Sequence, residues 1–180
     1  MNNNIYPNDI NKFLIHPSNR KLIVSLRQTA YDTCRTKIGP QYIRMAFNKI
    51  KRGYYYTNDK DEVIGFCIWE EKNNLKKDDT YIKQLHILLI CADYNDYKLG
   101  RKILFDVDSY CIDNKIPIIT LEAANDVLVK YYQNGGFVLI DNDLKEMKKV
   151  IKIIKIERTL KTRKIKRGKL IPINLEEAII

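Results

Sequence analysis

Residues 81–92, YIKQLHILLICA, constrain the fold more than any other part of the chain. The run is of strand length and apolar at most positions. A strand with so little polar alternation is covered on both faces, which places it in the middle of a sheet. A polar turn follows over 92–99. Ile103, Leu104, Val107 and Cys111 then recur at helical spacing, which predicts a helix over 100–112. IPIITLEA gives a strand over 116–123, and NDVLVKYYQN a helix over 125–133. This strand–helix–strand–helix unit is the core around which the rest must be built.

The flanks are readable by the same rules. NKFLIHP is a first strand ended by Pro17. From there Leu22, Leu26, Thr29 and Ala30 mark a helix with Ser18 or Asn19 as its cap. Gly39-Pro40 breaks it, and QYIRMAFNKIKRG predicts a second helix that stops at Gly53. GYYYTN and DEVIGFCIWEE read as two strands joined at Asn58-Asp59-Lys60, with a charged loop over 72–79. GGFVLID and KVIKIIKIER are the last two strands, the latter over 149–158. Hairpins early and strand–helix units late predict an α/β (α+β) fold with one mixed sheet flanked by helices. Trp69 and Tyr54–Tyr56 either line a pocket or sit in the core, where aromatic strand residues usually belong.

At 180 residues the chain fits one domain, expected over 1–158, followed by a basic tail over 159–180. No apolar run reaches the ~20 residues that cross a bilayer, so no membrane partner is expected. The N-terminus, MNNNIYPND, does not read as a signal peptide. Cys34, Cys67, Cys91 and Cys111 form no CxxC pair, and three lie in apolar runs. They read as buried free thiols, and the location as a reducing, cytoplasmic one. No metal site is expected, because His16 and His86 lack ligand neighbours at useful spacing.

Charge is concentrated at one end. Residues 144–169 hold twelve Lys or Arg against Glu146 and Glu157, which accounts for the whole net charge of +10. A neutral body with one cationic end attracts nucleic acid or another polyanion by counterion release, or is simply a solvated terminal segment.

Phosphate binding is the chemistry most legible in the core unit. A helix start presents backbone N–H groups and a positive dipole end to an anion. Gly100 allows close approach, and Lys98, Arg101 and Lys102 add charge. In that setting LLICADYNDYKLGRKIL resembles the coenzyme A pyrophosphate motif of the GNAT superfamily of N-acetyltransferases. That motif is a strand, then Arg/Gln-x-x-Gly-x-Gly/Ala, then a helix. Gly100 takes the final position, while Asn95 stands for Arg/Gln and Lys98 for the first glycine. ITLEAANDVLVKYYQNGGF resembles the later motif of the same superfamily: Asn125 and Tyr132 keep its seven-residue separation, and Gly136-Phe137 closes it. The two motifs cover roughly residues 84–140.

The resemblance implies a GNAT-like twisted, mostly antiparallel sheet and transfer of an acetyl group from acetyl-coenzyme A to a primary amine in a ternary complex. It implies coenzyme binding by Leu88, Ile90, Asn95, Lys98, Leu99, Gly100, Arg101, Lys102 and Asn125. It places Tyr132 as the acid that protonates the departing thiolate. Tyr131 is expected to point elsewhere on the helix. Glu122 stands at the Glu of the LEVR-type strand end of ribosomal-protein N-terminal acetyltransferases and is the candidate base, although the gap to Asn125 is two residues shorter here. His86 is the other candidate base, or a hydrogen-bonded structural histidine. The acceptor amine and the oligomeric state are not legible. The rival classes are a catalytically weak GNAT-like module that binds a polyanion through its basic end, and an adaptor with neither ligand.

Overall fold

The computed structural model describes residues 10–34, 38–75, 81–92 and 97–152. The chain forms β1 (Asn11–Ile15), α1 (Arg20–Thr33), α2 (Pro40–Lys49), β2 (Arg52–Thr57), β3 (Val63–Leu75) and β4 (Tyr81–Ala92). It continues with α3 (Tyr97–Asp113), β5 (Ile118–Glu122), α4 (Asp126–Gln133), β6 (Val138–Asp141) and β7 (Glu146–Val150). The strands make one sheet in the order β1-β2-β3-β4-β5-β7-β6. Among the described residues only β4 and β5 run parallel, because α3 carries the chain from one to the other. All other pairs are antiparallel. The mixed sheet flanked by helices is the one expected.

Local chemistry sets the ends of the helices. Asn19 caps α1, its Oδ1 accepting from the Leu22 N–H at 3.1 Å. Pro40 starts α2 at a position where no N–H is needed. α2 stops at Lys49 instead of Gly53; Gly53 lies in β2, where a Cβ would meet the Cys67 carbonyl oxygen at 2.4 Å. Its role is close strand approach, which helical periodicity alone does not reveal. Two other boundaries differ from expectation. β3 runs through the charged stretch to Leu75, because Lys72, Asn73, Asn74 and Leu75 pair with Gln84, Lys83, Ile82 and Tyr81 on β4. The last strand starts at Glu146, three residues before the expected 149, and the remainder of 149–158 lies outside the described residues beyond 152.

Both sheet faces are covered at the centre, as the apolar run predicts. α1 and α2 pack Leu26, Ala30, Ile43 and Phe47 against Phe66, Ile68, Leu88 and Leu89. α3 and α4 pack Leu99, Ile103, Val107 and Tyr132 against Trp69, Leu85, Ile87 and Ile119. Trp69 and Tyr56 are fully buried there, so they are core and not pocket lining. A bulge divides β4: Ile68 pairs with Leu89 but Trp69 with Ile87, leaving Leu88 as the extra residue. One extra residue reverses the alternation of side chains. Before it Leu85 and Ile87 face α3, and after it Leu89 and Cys91 face α1 and α2.

The cysteines correct the sequence reading. Cys34 and Cys91 form a disulfide with Cα atoms 6.2 Å apart, while Cys67 and Cys111 are free and buried. Spacing gives no sign of a pair 57 residues apart that only the packing of α1 on β4 brings together. The reducing-compartment reading is left without its support in four free thiols. Among the described residues no helix is long and apolar enough to cross a membrane, and no group of His, Cys, Asp or Glu is arranged to hold a metal.

Candidate functional site

The sheet opens between its two parallel strands. β4 and β5 pair from Gln84–Ile118 to Ile87–Leu121, and there the pairing ends. β4 continues to Ala92, paired among the described residues with β3 alone. β5 turns toward β7, with Glu122 opposite Glu146 and the Ala123 N–H bonded to the Lys145 carbonyl at 3.0 Å. The stretch Leu88–Ala92 therefore exposes one backbone edge to the opening, at the carboxyl ends of the strands, where open α/β sheets take ligands. Leu88 itself is buried toward α1 and α2 as the bulge residue, and Ile90 is half-buried against the α3 side. Their main chain faces the opening, a role independent of side-chain type.

α3 begins beside this edge. Its first residue is Tyr97, three before the expected start, so Lys98, Leu99 and Gly100 occupy the first turn and Arg101 and Lys102 the second. In the second turn the N–H groups bond carbonyls one turn back, and only side-chain charge remains to meet an anion. Leu99 is fully buried against Gly65 of β3, where a Cβ would lie 2.9 Å from Leu99 Cδ2. Lys102 pairs with Asp106 at 3.3 Å. Arg101 lines a cavity of about 280 Å³ between α3, α4 and β7, together with Phe105, Asp108, Tyr131 and Lys149. Asn95 lies outside the described residues.

α4 places the proposed acid. Asn125 caps it, its Oδ1 accepting from the Leu128 N–H at 3.0 Å. That bond commits the oxygen and leaves the amide N–H₂ to reach a ligand. Tyr132 is buried, its ring 5.9 Å from that of Phe137, whose N–H bonds the Tyr132 carbonyl at 3.1 Å. Burial pushes the Tyr132 hydroxyl well above its ordinary pKa, with Cys67, Tyr131 and Tyr42 adding to the rise. Tyr132 shares its core cluster with Cys67, the cross-strand partner of Ile90 in the unpaired part of β4. The hydroxyl stays protonated at neutral pH, as a proton donor must. Tyr131 points to a different place from Tyr132. Its hydroxyl reaches the first turn of α3, 2.5 Å from where a Cβ of Gly100 would be.

The candidate bases lie on the opposite face of the sheet. Glu122 is exposed at the end of β5. It is close enough to Tyr42 of α2 that, after burial, its charge is the second cause raising that phenol to about 12. Tyr42 was not singled out from sequence, where it reads only as a helix residue outside the apolar stripe. His86 is half-buried, its Nδ1 2.9 Å from Thr120 Oγ1, which also accepts from Gln84 Nε2 at 2.7 Å. Burial and then Lys72 lower the His86 pKa, partly opposed by Glu122, Glu70 and Glu146. This imidazole is neutral and hydrogen-bonded, which fits the structural reading of a lone strand histidine.

Asp106 was also missed. It is 6% exposed and receives Lys12 at 2.9 Å, Lys102 at 3.3 Å and the Tyr56 hydroxyl at 3.0 Å. Its signal was present: a charge beside Val107 within the apolar stripe of the helix.

No protein-family model and no curated protein sequence matches the chain. Solved structures do. The Escherichia coli GNAT family N-acetyltransferase YhbS in complex with CoA aligns with TM-score 0.58 at 9% identity, covering 80% of this chain and 82% of that one. Tetrahymena GCN5 aligns with TM-score 0.59 at 14% identity, over 80% and 98%. A GNAT family acetyltransferase from Staphylococcus aureus Mu50 aligns with TM-score 0.57 at 16% identity, over 79% and 99%. At such identities the likeness is one of architecture alone. The chain has the fold of the GNAT N-acetyltransferases.

Proposed function

We propose that the chain is an acetyl-coenzyme A-dependent N-acetyltransferase acting on a primary amine. The observation that carries this is the opening between β4 and β5: an unpaired backbone edge over Leu88–Ala92, the start of α3 beside it, and the buried Tyr132 hydroxyl close by. The residues fit the cosubstrate. The edge of β4 suits an extended amide-bearing arm, which pairs with it as a further strand would. The first turn of α3, with Lys98 and Arg101, suits a diphosphate. Asn125 has amide donors left for the arm. YhbS, of the same fold, is described in complex with CoA.

The chemistry follows from what the two faces offer. Glu122 takes the proton of the acceptor amine, directly or through water, with His86 as the alternative base. The amine attacks the thioester carbonyl in a ternary complex, and the Tyr132 hydroxyl gives its proton to the departing thiolate. The phenol brings its proton to this step because burial keeps it protonated; the transfer leaves a phenolate, which is reprotonated from solvent as the products leave.

Titration calorimetry with acetyl-coenzyme A, followed by thiol-release assays on a panel of peptide and small amines, tests the proposal. Micromolar binding and release stimulated by an amine support it; absence of binding by the folded protein rejects it.

A second reading, polyanion binding by the basic end, rests on the twelve cationic residues of 144–169. Lys145 and Lys149 are committed elsewhere, each 2.6 Å from a carboxylate, of Asp126 and Asp108. This reading therefore rests on Lys148, Lys152 and the eight cationic residues past 152.

A further inference from the structure

The first turn of α3 is gripped from two sides. Leu99 is fully buried, and its Cδ2 lies where a side chain at Gly65 would begin, 2.9 Å from an ideal Cβ. On the next residue, a Cβ at Gly100 would meet, among the described residues, Tyr131 Oη at 2.5 Å and Cζ at 3.4 Å and no other atom within 4 Å. Contacts under 3.0 Å are sterically forbidden for a real Cβ, while 3.4 Å is ordinary packing. A methyl at position 100 therefore forces a shift, either of the Tyr131 hydroxyl or of the turn.

Tyr131 and Tyr132 are consecutive on α4, with ring centroids 5.4 Å apart. Neighbouring residues on a helix point about 100° apart, so the two phenols serve different places. Tyr132 lies by Cys67 at the opening, and Tyr131 lies against α3.

We propose that Tyr131 is a positioning residue: its hydroxyl sets the first turn of α3 and thereby the seat of the coenzyme diphosphate. Position 100 is glycine in this chain because of Tyr131, and not because the ligand needs the space. The superfamily motif accepts Gly or Ala there; this chain accepts Ala only when the hydroxyl is absent. The inference deepens the coenzyme reading above and rests on it.

The test is a two-residue cycle of Gly100→Ala, Tyr131→Phe and the double variant, read by acetyl-coenzyme A affinity and by Tm without ligand. Gly100→Ala displaces the turn and weakens binding on the order of tenfold, the equivalent of one overpacked contact. Tyr131→Phe in the Gly100→Ala background restores affinity to that of Tyr131→Phe alone, because the added methyl then meets only ring carbon. The inference is overturned if Gly100→Ala binds like the wild type. It is equally overturned if the double variant binds as weakly as Gly100→Ala, since the ligand itself then excludes the methyl. A wild-type protein that binds no acetyl-coenzyme A rejects the coenzyme reading instead. The Tm values then still decide the contact: a loss in Gly100→Ala recovered in the double variant upholds it, and additive losses reject it.

Discussion

Cys34 at the end of α1 and Cys91 near the end of β4 are joined by a disulfide across 57 residues of sequence. The bond ties a helix on one face of the sheet to the end of β4 that borders the opening. In the chain-entropy account, closing a loop of this length contributes about 4 kcal/mol by restricting the unfolded state. The Cys34→Ala/Cys91→Ala variant is therefore expected to lose a few kcal/mol in urea unfolding and to become insensitive to reductant. A wild-type midpoint that does not move on reduction rejects the bond as a contributor to stability.

Tyr132→Phe removes one hydroxyl and keeps the ring contacts with Tyr131 and Phe137. On the proposed chemistry, turnover falls by ~10²–10⁴-fold, the usual contribution of a general acid. Acetyl-coenzyme A affinity is expected to hold, since the hydroxyl acts on the departing sulfur. Tyr131→Phe is no control, given its contact with α3. Tyr81→Phe serves instead, because Tyr81 is 70% exposed at the start of β4. Normal turnover in Tyr132→Phe on a verified acceptor would make Tyr132 a packing residue.

The core unit was legible because its signals are local. The apolar run of β4, the 3–4 spacing of Ile103, Leu104, Val107 and Cys111, and the Asn125 cap each report their element directly. The resemblance to GNAT motifs rests on the same stretch. What stayed hidden depends on partners distant in sequence. Lys72–Leu75 look like a loop until β4 pairs with them. Gly53 looks like a helix stop until Cys67 is seen against it. The Cys34–Cys91 bond, the reach of Tyr131 to Gly100 and the closeness of Tyr42 to Glu122 all join separate elements. No spacing rule within one segment encodes them.

His86 gives a pH dependence with a definite sign. Its folded pKa lies below the ordinary value of 6.5, chiefly through burial. Below that value the unfolded chain binds the proton more readily than the folded one, so stability falls as pH drops from about 6.5 through the folded pKa. Above 6.5 both states are neutral there and the contribution is constant. His86→Gln is expected to flatten the slope of unfolding free energy below about pH 6.5, measured against the wild type in the same buffers. An unchanged slope would show that His86 titrates alike in both states.

Asp106 supplies the sharpest test of the packing beneath the site. Its carboxylate is buried and takes three donors: Lys12 Nζ, Lys102 Nζ and the Tyr56 hydroxyl, itself fully buried. Through it α3 is held to β1 and β2, which fixes the helix whose start is the proposed phosphate seat. Removing one member of such a group strands the others without a counter-charge, at a typical cost of about 3–5 kcal/mol. Asp106→Ala is expected to fall in that range by urea unfolding. Asp106→Asn keeps an acceptor for Tyr56 and should cost less. Replacing three members together, as Lys12→Met/Tyr56→Phe/Asp106→Leu, removes the desolvated carboxylate along with two of its three donors and leaves Lys102 in place, and exchanges of this kind are often neutral or stabilising. The triple variant is therefore expected to be more stable than Asp106→Ala, although it changes three residues instead of one. If the losses simply accumulate, each contact stabilises independently, and the cluster does not act as one unit anchoring α3.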